Sequence, residues 1–474
     1  MVVESSYPNY QPVLSRWIPR VPEHWSLLRA KNFLREIDDR SKTGEETLLS
    51  MRMQRGLVPH HDVSVKRIAP ENLIGYKKAR PDELVLNRMQ AGNAMFFRNR
   101  HPGLVSPDYA VFRLLRDDNP EYLGHLFRSW PMRGLFRSES KGLGTGTSGF
   151  LRLYSDRFAA LEIPLPPRPE QDQIVAYLHA QDAHIARFIK TKRDLIRLLA
   201  EQKLRIIDHA VTRGLDAAVA LKPSGIEWMG EVPEHWQVAR LRQLSISLQT
   251  GPFGSQLHSS DYVDDGIPVI NPSHLKDGAI VPDVRCAVDV DTATRLSRHS
   301  LAANDVIFAR RGELGRCALV TAKEVGWLCG TGSLKVRLRP NAINSEFLMF
   351  VLSSPLLRGD LRLYSVGSTM ENANTSIIGN IRIPLPPADE QQAICRWISD
   401  ECQPLDDAIA RTKEEIKLIR EYRDRLIADV VTGQVDVRGW QPGPDDVVDD
   451  AALAVLNDDP DDAAEEEGSD GEES

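Results

Sequence analysis

Ile163-Pro164-Leu165-Pro166-Pro167, with Pro169-Glu170-Gln171 close behind, returns 220 residues later as Ile383-Pro384-Leu385-Pro386-Pro387 with Asp389-Glu390-Gln391. A second phrase, Val21-Pro22-Glu23-His24-Trp25, returns as Val232-Pro233-Glu234-His235-Trp236, a shift of 211. Both copies keep the same order, so the chain is one domain-sized unit written twice, with a period too long for a solenoid. Between the anchors the framework repeats loosely. Glu83-Leu84-Val85-Leu86-Asn87-Arg88 answers Asp305-Val306-Ile307-Phe308-Ala309-Arg310, and Phe112-Arg113-Leu114 answers Val336-Arg337-Leu338, both as apolar strands carrying an arginine. Glu121-Tyr122-Leu123 with Pro131 answers Glu346-Phe347-Leu348 with Pro355, a short helix stopped by proline. The connecting residues differ almost completely, as expected for two units that do one kind of job on two different targets.

After each Ile-Pro-Leu-Pro-Pro the sequence turns helical. Proline and acidic residues fill the first turn, where orphan amides and the macrodipole favour them. A short amphipathic piece (Ile174 to Leu178; Ile394 to Ile398) precedes a longer one. Ile185, Ile189, Lys192, Ile196, Leu199, Lys203, Ile206 and Ala210 are spaced four and three by turns. Their counterparts are Leu405, Ile409, Thr412, Ile416, Ile419, Arg423, Leu426 and Val430. Such heptads predict a coiled coil, polar interruptions included. The repeat places the two helices antiparallel about a pseudo-twofold axis, closed by Gly214 and Gly433. Residues 185 to 212 at ~1.5 Å each give a spacer of ~42 Å.

Length allows roughly three domains. No signal peptide and no run of ~18 apolar residues is present, so the expectation is a cytoplasmic protein without a membrane span. Cys286, Cys317, Cys329, Cys395 and Cys402 form no C-x-x-C pair and read as free thiols. The net charge of −8 misleads: 14 of the 67 acidic residues lie after Trp440 with no Lys or Arg among them, leaving 53 acidic against 59 basic groups in residues 1 to 440. The acidic segment has the composition of a disordered tail, and the body is positive.

Gly144-Thr145-Gly146-Thr147-Ser148-Gly149 fits G-x-G-x-x-G, but neither a buried strand before it nor a helix after it is predicted, so it is not a dinucleotide site. There is no P-loop. His60-His61-Asp62 lacks a second ligand pair and reads as a solvated loop. Asn271-Pro272-Ser273-His274 reads as a turn. The sequence therefore offers no catalytic residue, no metal site and no cofactor site.

Basic and amide-rich loops are the remaining candidates, because arginine can read guanine or clamp phosphate and such loops can approach a DNA backbone. Arg88, Arg98 and Arg100 surround Met95-Phe96-Phe97, and Arg310, Arg311 and Arg316 surround Gly312 and Gly315. Lys141, Thr145 and Ser148 mark one polar loop; Ser368, Thr369, Asn372 and Asn374 mark its counterpart. Arg88 and Arg310 rank first because the repeat places them equivalently.

Over nearly all of residues 17 to 440, the doubled anchors, the Glu-Gln pairs and the paired heptads resemble the specificity subunit of type I restriction-modification systems. The resemblance implies an α+β chain: two pseudo-repeated mixed α/β target-recognition domains separated by an antiparallel pair of long coiled-coil helices. The domains fall at residues 1–162 and 223–382, the helical regions at 163–222 and 383–440, and the acidic tail at 441–474. Each domain would read one half of a bipartite, asymmetric site in double-stranded DNA. The helical seam, Ile185, Ile189, Ile196, Leu199 and Ile206 against Leu405, Ile409, Ile416, Ile419 and Leu426, would set the spacer and dock two modification subunits. Restriction subunits would join them, and S-adenosylmethionine, ATP and Mg would belong to those partners. Other readings are a self-sufficient DNA methyltransferase or nuclease, for which stoichiometric S-adenosylmethionine binding by the lone chain would speak, and a protein-assembly scaffold that binds no DNA.

Overall fold

The computed structural model describes residues 6–13, 15–143, 150–253, 256–276, 278–311, 315–359, 374–444, 446 and 456. The chain packs as two compact units, residues 1–194 with 412–474, and residues 195–411. The sequence divides at the helix ends, whereas packing divides inside the two long helices.

The first unit is built on a four-stranded antiparallel sheet ordered Leu34–Ile37, Ala110–Leu114, Leu84–Leu86, Phe96–Arg98. Side chains alternate across a strand, and here both faces are covered. Leu84, Leu86, Phe96, Ala110 and Phe112 enter one core, beneath the helices Pro120–Arg128 and Trp130–Glu139. That core is a phenylalanine cluster in which Phe96 stacks on Phe127 with ring centroids 4.6 Å apart. Val85, Phe97 and Val111 enter a second core on the opposite face, closed by the hairpin of Leu49–Arg52 and Gly56–Pro59.

The second unit repeats the sheet as Ser245–Thr250, Ser333–Leu338, Val306–Ala309, Cys317–Leu319, with the same order and antiparallel sense. Val306, Phe308, Leu334 and Val336 face the framework core under the helix Ser345–Ser353. Ile307, Ala309 and Ala318 face the other way. There the insert holds a second sheet ordered Tyr262–Val263, Ala287–Val288, Ile267–Ile270, Leu328–Cys329, its last pairing parallel, beside a short hairpin of Leu275–Lys276 and Ala279–Ile280. In each unit, then, one face of the sheet carries the repeated framework and the other carries the insert that differs.

Each long helix is unbroken. The first runs Arg168–Arg213 and the second Ala388–Val431, longer than the two pieces expected from sequence. No glycine or proline lies between Leu178 and Ile185 or between Ile398 and Pro404, so nothing ends the short pieces; Pro404 itself sits within the helix. In the first unit Ile174, Val175, Tyr177 and Leu178 of the first helix join Leu426, Val430 and Val431 of the second in one core. In the second unit Ile207, Ala210 and Val211 meet Ile394, Cys395, Ile398 and Cys402.

Three of the four polar interruptions of the heptads, Lys192, Lys203 and Arg423, become interhelical ion pairs. In the first unit Arg423 forks onto Asp182 (2.6 and 2.8 Å) and Lys192 meets Glu415 at 2.6 Å, a register that runs antiparallel. In the second, Lys203 meets both oxygens of Asp406 at 2.7 Å. Of the seam residues, Ile185, Ile189 and Leu426 are buried, while Ile196, Leu199, Ile206, Leu405, Ile409, Ile416 and Ile419 are half-buried. A pair of helices alone covers its seam only in part; burial is completed where a domain packs on it. All five cysteines are free, and burial pushes the thiols of Cys317, Cys329 and Cys395 up to about 12.

Candidate nucleic-acid interface

The repeated phrases meet in space. Strand Ser26–Arg29, directly after Trp25, pairs with Glu162–Leu165, and Gln237–Arg240, after Trp236, pairs with Arg382–Leu385. The glutamate in the first turn of each long helix then closes the junction. Glu170 accepts hydrogen bonds from Trp25 Nε1 (3.0 Å), the Tyr7 hydroxyl (2.6 Å) and the His24 ring (2.7 Å). Glu390 accepts from Trp236 Nε1 (3.0 Å) and the His235 ring (2.8 Å). Burial and the bond to Glu170 push the Tyr7 phenol well above its ordinary range.

The glutamine that follows is equally fixed. Gln171 Nε2 donates to Pro166 O and its Oε1 accepts from Asn119 N; Gln391 does the same with Pro386 O and Asn344 N, all at 2.7 to 2.9 Å. Asn119 and Asn344 cap the short framework helices. Thus His-Trp, Ile-Pro-Leu-Pro-Pro and Glu-Gln recur because they are one hydrogen-bonded joint between helix and domain. Gly433 completes it in the first unit with φ +75°, and a Cβ there would lie 2.4 Å from the Pro22 ring; Gly214, φ +74°, packs on Trp236 in the second.

A second twin lies under the sheets. Buried Glu83 accepts two bonds from the Arg113 guanidinium and one from Arg80 N. Buried Asp305 accepts two from Arg337 and one from Ala302 N. The sequence pairs these segments without showing that their carboxylates and arginines bind each other.

The candidate contact residues fall into three groups. Arg88, ranked first by the repeat, is only 14% exposed and is held by Glu36 and by Ser155 Oγ. Arg98 bridges Asp82 and Glu121, while exposed Arg100 reaches Glu121 at 2.9 Å. In the second unit Arg310 is half-buried, Arg311 exposed, and Arg316 half-buried beside the turn at Gly315 (φ +90°). Lys141 is exposed at the foot of a hairpin, Lys141–Leu143 paired with Phe150–Arg152. Strands on both sides of Gly144 to Gly149 are the opposite of the strand-to-helix turn a dinucleotide loop needs. Asn374 caps the helix Thr375–Gly379 by accepting from Ile377 N. Thr145, Ser148, Ser368, Thr369 and Asn372 lie outside the described residues.

Two small motifs resolve as protein-internal. The His60 ring is bonded to Ser50 Oγ and Lys66 O, and Pro272–His274 is a turn of 3-10 helix. One cluster was not foreseen: Glu121 and His125, one turn apart on a framework helix, stand beside His179 on the first long helix. Burial opposes ionisation of Glu121, but the His179 hydrogen bond and the surrounding positive charge outweigh it and hold the carboxyl at about 2. A Glu-x-x-x-His spacing on a helix was the available signal.

Comparison with known proteins bears on this geometry. The family model described as type I restriction modification DNA specificity domain matches residues 91–197 and 233–418. The chain belongs to that family. It is similar to the type I restriction enzyme MjaVIII specificity subunit of Methanocaldococcus jannaschii, 22% identical over 430 residues, covering 88% of this chain and 95% of that one. It is also similar to the MjaIX specificity subunit of the same organism, 25% identical over 324 residues, 67% of this chain and 69% of that one. Among solved structures, a chain from work on the complex assembly and conformational transition of a type I R-M system aligns over 88% of this chain and 99% of its own length, with a TM-score of 0.52 and 18% identity. That likeness is one of fold. No described helix is long and apolar enough to cross a membrane.

Proposed function

We propose that this chain is the DNA-specificity subunit of a type I restriction-modification complex in the cytoplasm, each unit reading one half of a bipartite, asymmetric double-stranded site. The observation that carries this reading is the division of each sheet into a repeated face, jointed to the long helices, and a face whose insert differs. A repeated mount with unlike inserts suits two readers of unlike half-sites. Lys141, Arg100 and Arg311 are the basic candidates among the described residues that are exposed for contact. Arg88 acts inside the protein, binding Glu36 and Ser155.

In this reading the helices set the unread spacer. They also offer apolar side chains to two modification subunits: Phe188, Leu418 and Tyr422 are exposed in the first unit, Leu195 and Leu198 in the second. The chain supplies no catalytic group; S-adenosylmethionine, ATP and Mg serve the modification and restriction subunits. Co-expression with the modification subunit of the same system, followed by mapping of methylated adenines, tests the proposal. Methylation confined to one split asymmetric sequence is expected. Stoichiometric S-adenosylmethionine binding by the isolated chain would make it the enzyme instead, and failure to bind any DNA with partners present would make it a scaffold.

A further inference from the structure

Glu121 and His125 share one face of the helix Pro120–Arg128, as residues four apart do. His179, from the first long helix, brings its ring to 3.2 Å from Glu121 Oε1. The three ligating atoms lie within 4.8 Å of one another. Ligands of one tetrahedral ion bound at ~2.0 to 2.2 Å sit about 3.5 Å apart, so small side-chain rotations suffice. Independently, His125 Nε2 is buried and meets no hydrogen-bond partner among the described residues, a state that leaves a polar atom unpaid.

We propose that Glu121, His125 and His179 bind a late first-row divalent metal ion of the Zn2+ class, pinning the framework helix of the first unit to the first long helix. Two imidazoles and a carboxylate favour Zn2+, Co2+ or Ni2+ over the oxygen-seeking Ca2+ and Mg2+. Arg98 and Arg100 compete for the carboxylate, at 2.9 Å each. Arg98 takes Oε2 and leaves Oε1, the oxygen that faces His179. Arg100 is 68% exposed and can release Oε1 into water. The second unit keeps Glu346 in the place of Glu121 but has Phe350 where His125 stands, so the site belongs to the first unit alone.

The test uses the full chain, stripped with a chelator, dialysed and titrated with Zn2+, and separately with Co2+ to read the d–d absorption of a nitrogen-ligated site. One ion per chain is expected. His125→Ala and His179→Ala should each weaken binding by about tenfold or more, while His61→Ala leaves it unchanged. Circular dichroism separates loss of the site from loss of fold, and His179→Gln, at a partly exposed ring, provides a second variant if His125→Ala unfolds. Absence of binding, binding that survives both histidine changes, or binding lost in His61→Ala would each overturn the proposal.

Discussion

Glu170 and Glu390 hold the same position in the two copies, yet they are not equally placed. Glu170 is buried and takes three side-chain donors, whereas Glu390 is partly exposed and takes two. Removing an acceptor from buried donors costs about 1 to 3 kcal/mol, so Glu170→Ala should destabilise the first unit by about 2 to 3 kcal/mol and Glu390→Ala the second by less, as read by urea unfolding. The reverse ranking would contradict the joint described above. Arg88→Ala should likewise lower stability while leaving the salt dependence of DNA binding unchanged; Lys141→Ala or Arg311→Ala should reduce the slope of log affinity against log salt by about 1 if each meets a phosphate. His299 is buried, and burial, with Arg298 alongside, pushes its ring down to about 4. Between about pH 6.5 and pH 4 the unfolded chain binds a proton there that the folded chain does not. The contribution of His299 to stability is therefore complete above pH 6.5 and falls by about 1.4 kcal/mol for each unit of acidification through that window. His299→Leu should show a correspondingly shallower pH dependence.

At the scale of elements, the helices were the most legible part of the sequence. Ile185, Ile189 and Leu426 announce themselves by period, because a buried helical stripe leaves a mark every three or four residues. Sheet strands were found as apolar runs, but their two-faced burial was hidden: with both faces covered, Leu84-Val85-Leu86 and Val306-Ile307-Phe308 show no alternation to read. The joint was visible as repeated words without its meaning, since hydrogen bonds between Trp25 and Glu170 span 145 residues. Candidate contact loops were the least legible, because loop side chains obey no periodicity, and equivalence by repeat picked out Arg88, whose guanidinium is bonded to Glu36 and Ser155. The antiparallel ion pairs give the element its own prediction. Removing one heptad from each long helix, between Lys192 and Lys203 and between Asp406 and Glu415, deletes ~10 Å of helix. On the proposed function, the unread spacer should shorten by about three base pairs with both half-sites unchanged, as a binding selection would report.

At the scale of the whole molecule, the first unit draws on both ends of the described chain. Leu426, Val430 and Val431 sit in its core with Tyr122 and Ile174, and the Tyr122 hydroxyl donates to Val431 O at 3.0 Å. Burying three such aliphatic side chains contributes ~1.5 to 3 kcal/mol each, a sum comparable with the entire stability of a domain. A chain ending at Arg411 should therefore lose the first unit's cooperative unfolding transition while the second unit's persists in calorimetry. Two intact transitions would refute this account of the core.

That shared core also bears on how the protein is made. The second unit is continuous in sequence and can close as soon as it leaves the ribosome. The first, although translated earlier, must wait with Tyr122, Ile174 and Leu178 uncovered until residues 412–437 emerge, roughly 10 to 50 s at ordinary elongation rates. Nascent-chain order and folding order are thereby inverted, and the half-made molecule carries uncovered apolar side chains, the kind of surface that aggregates, through that interval.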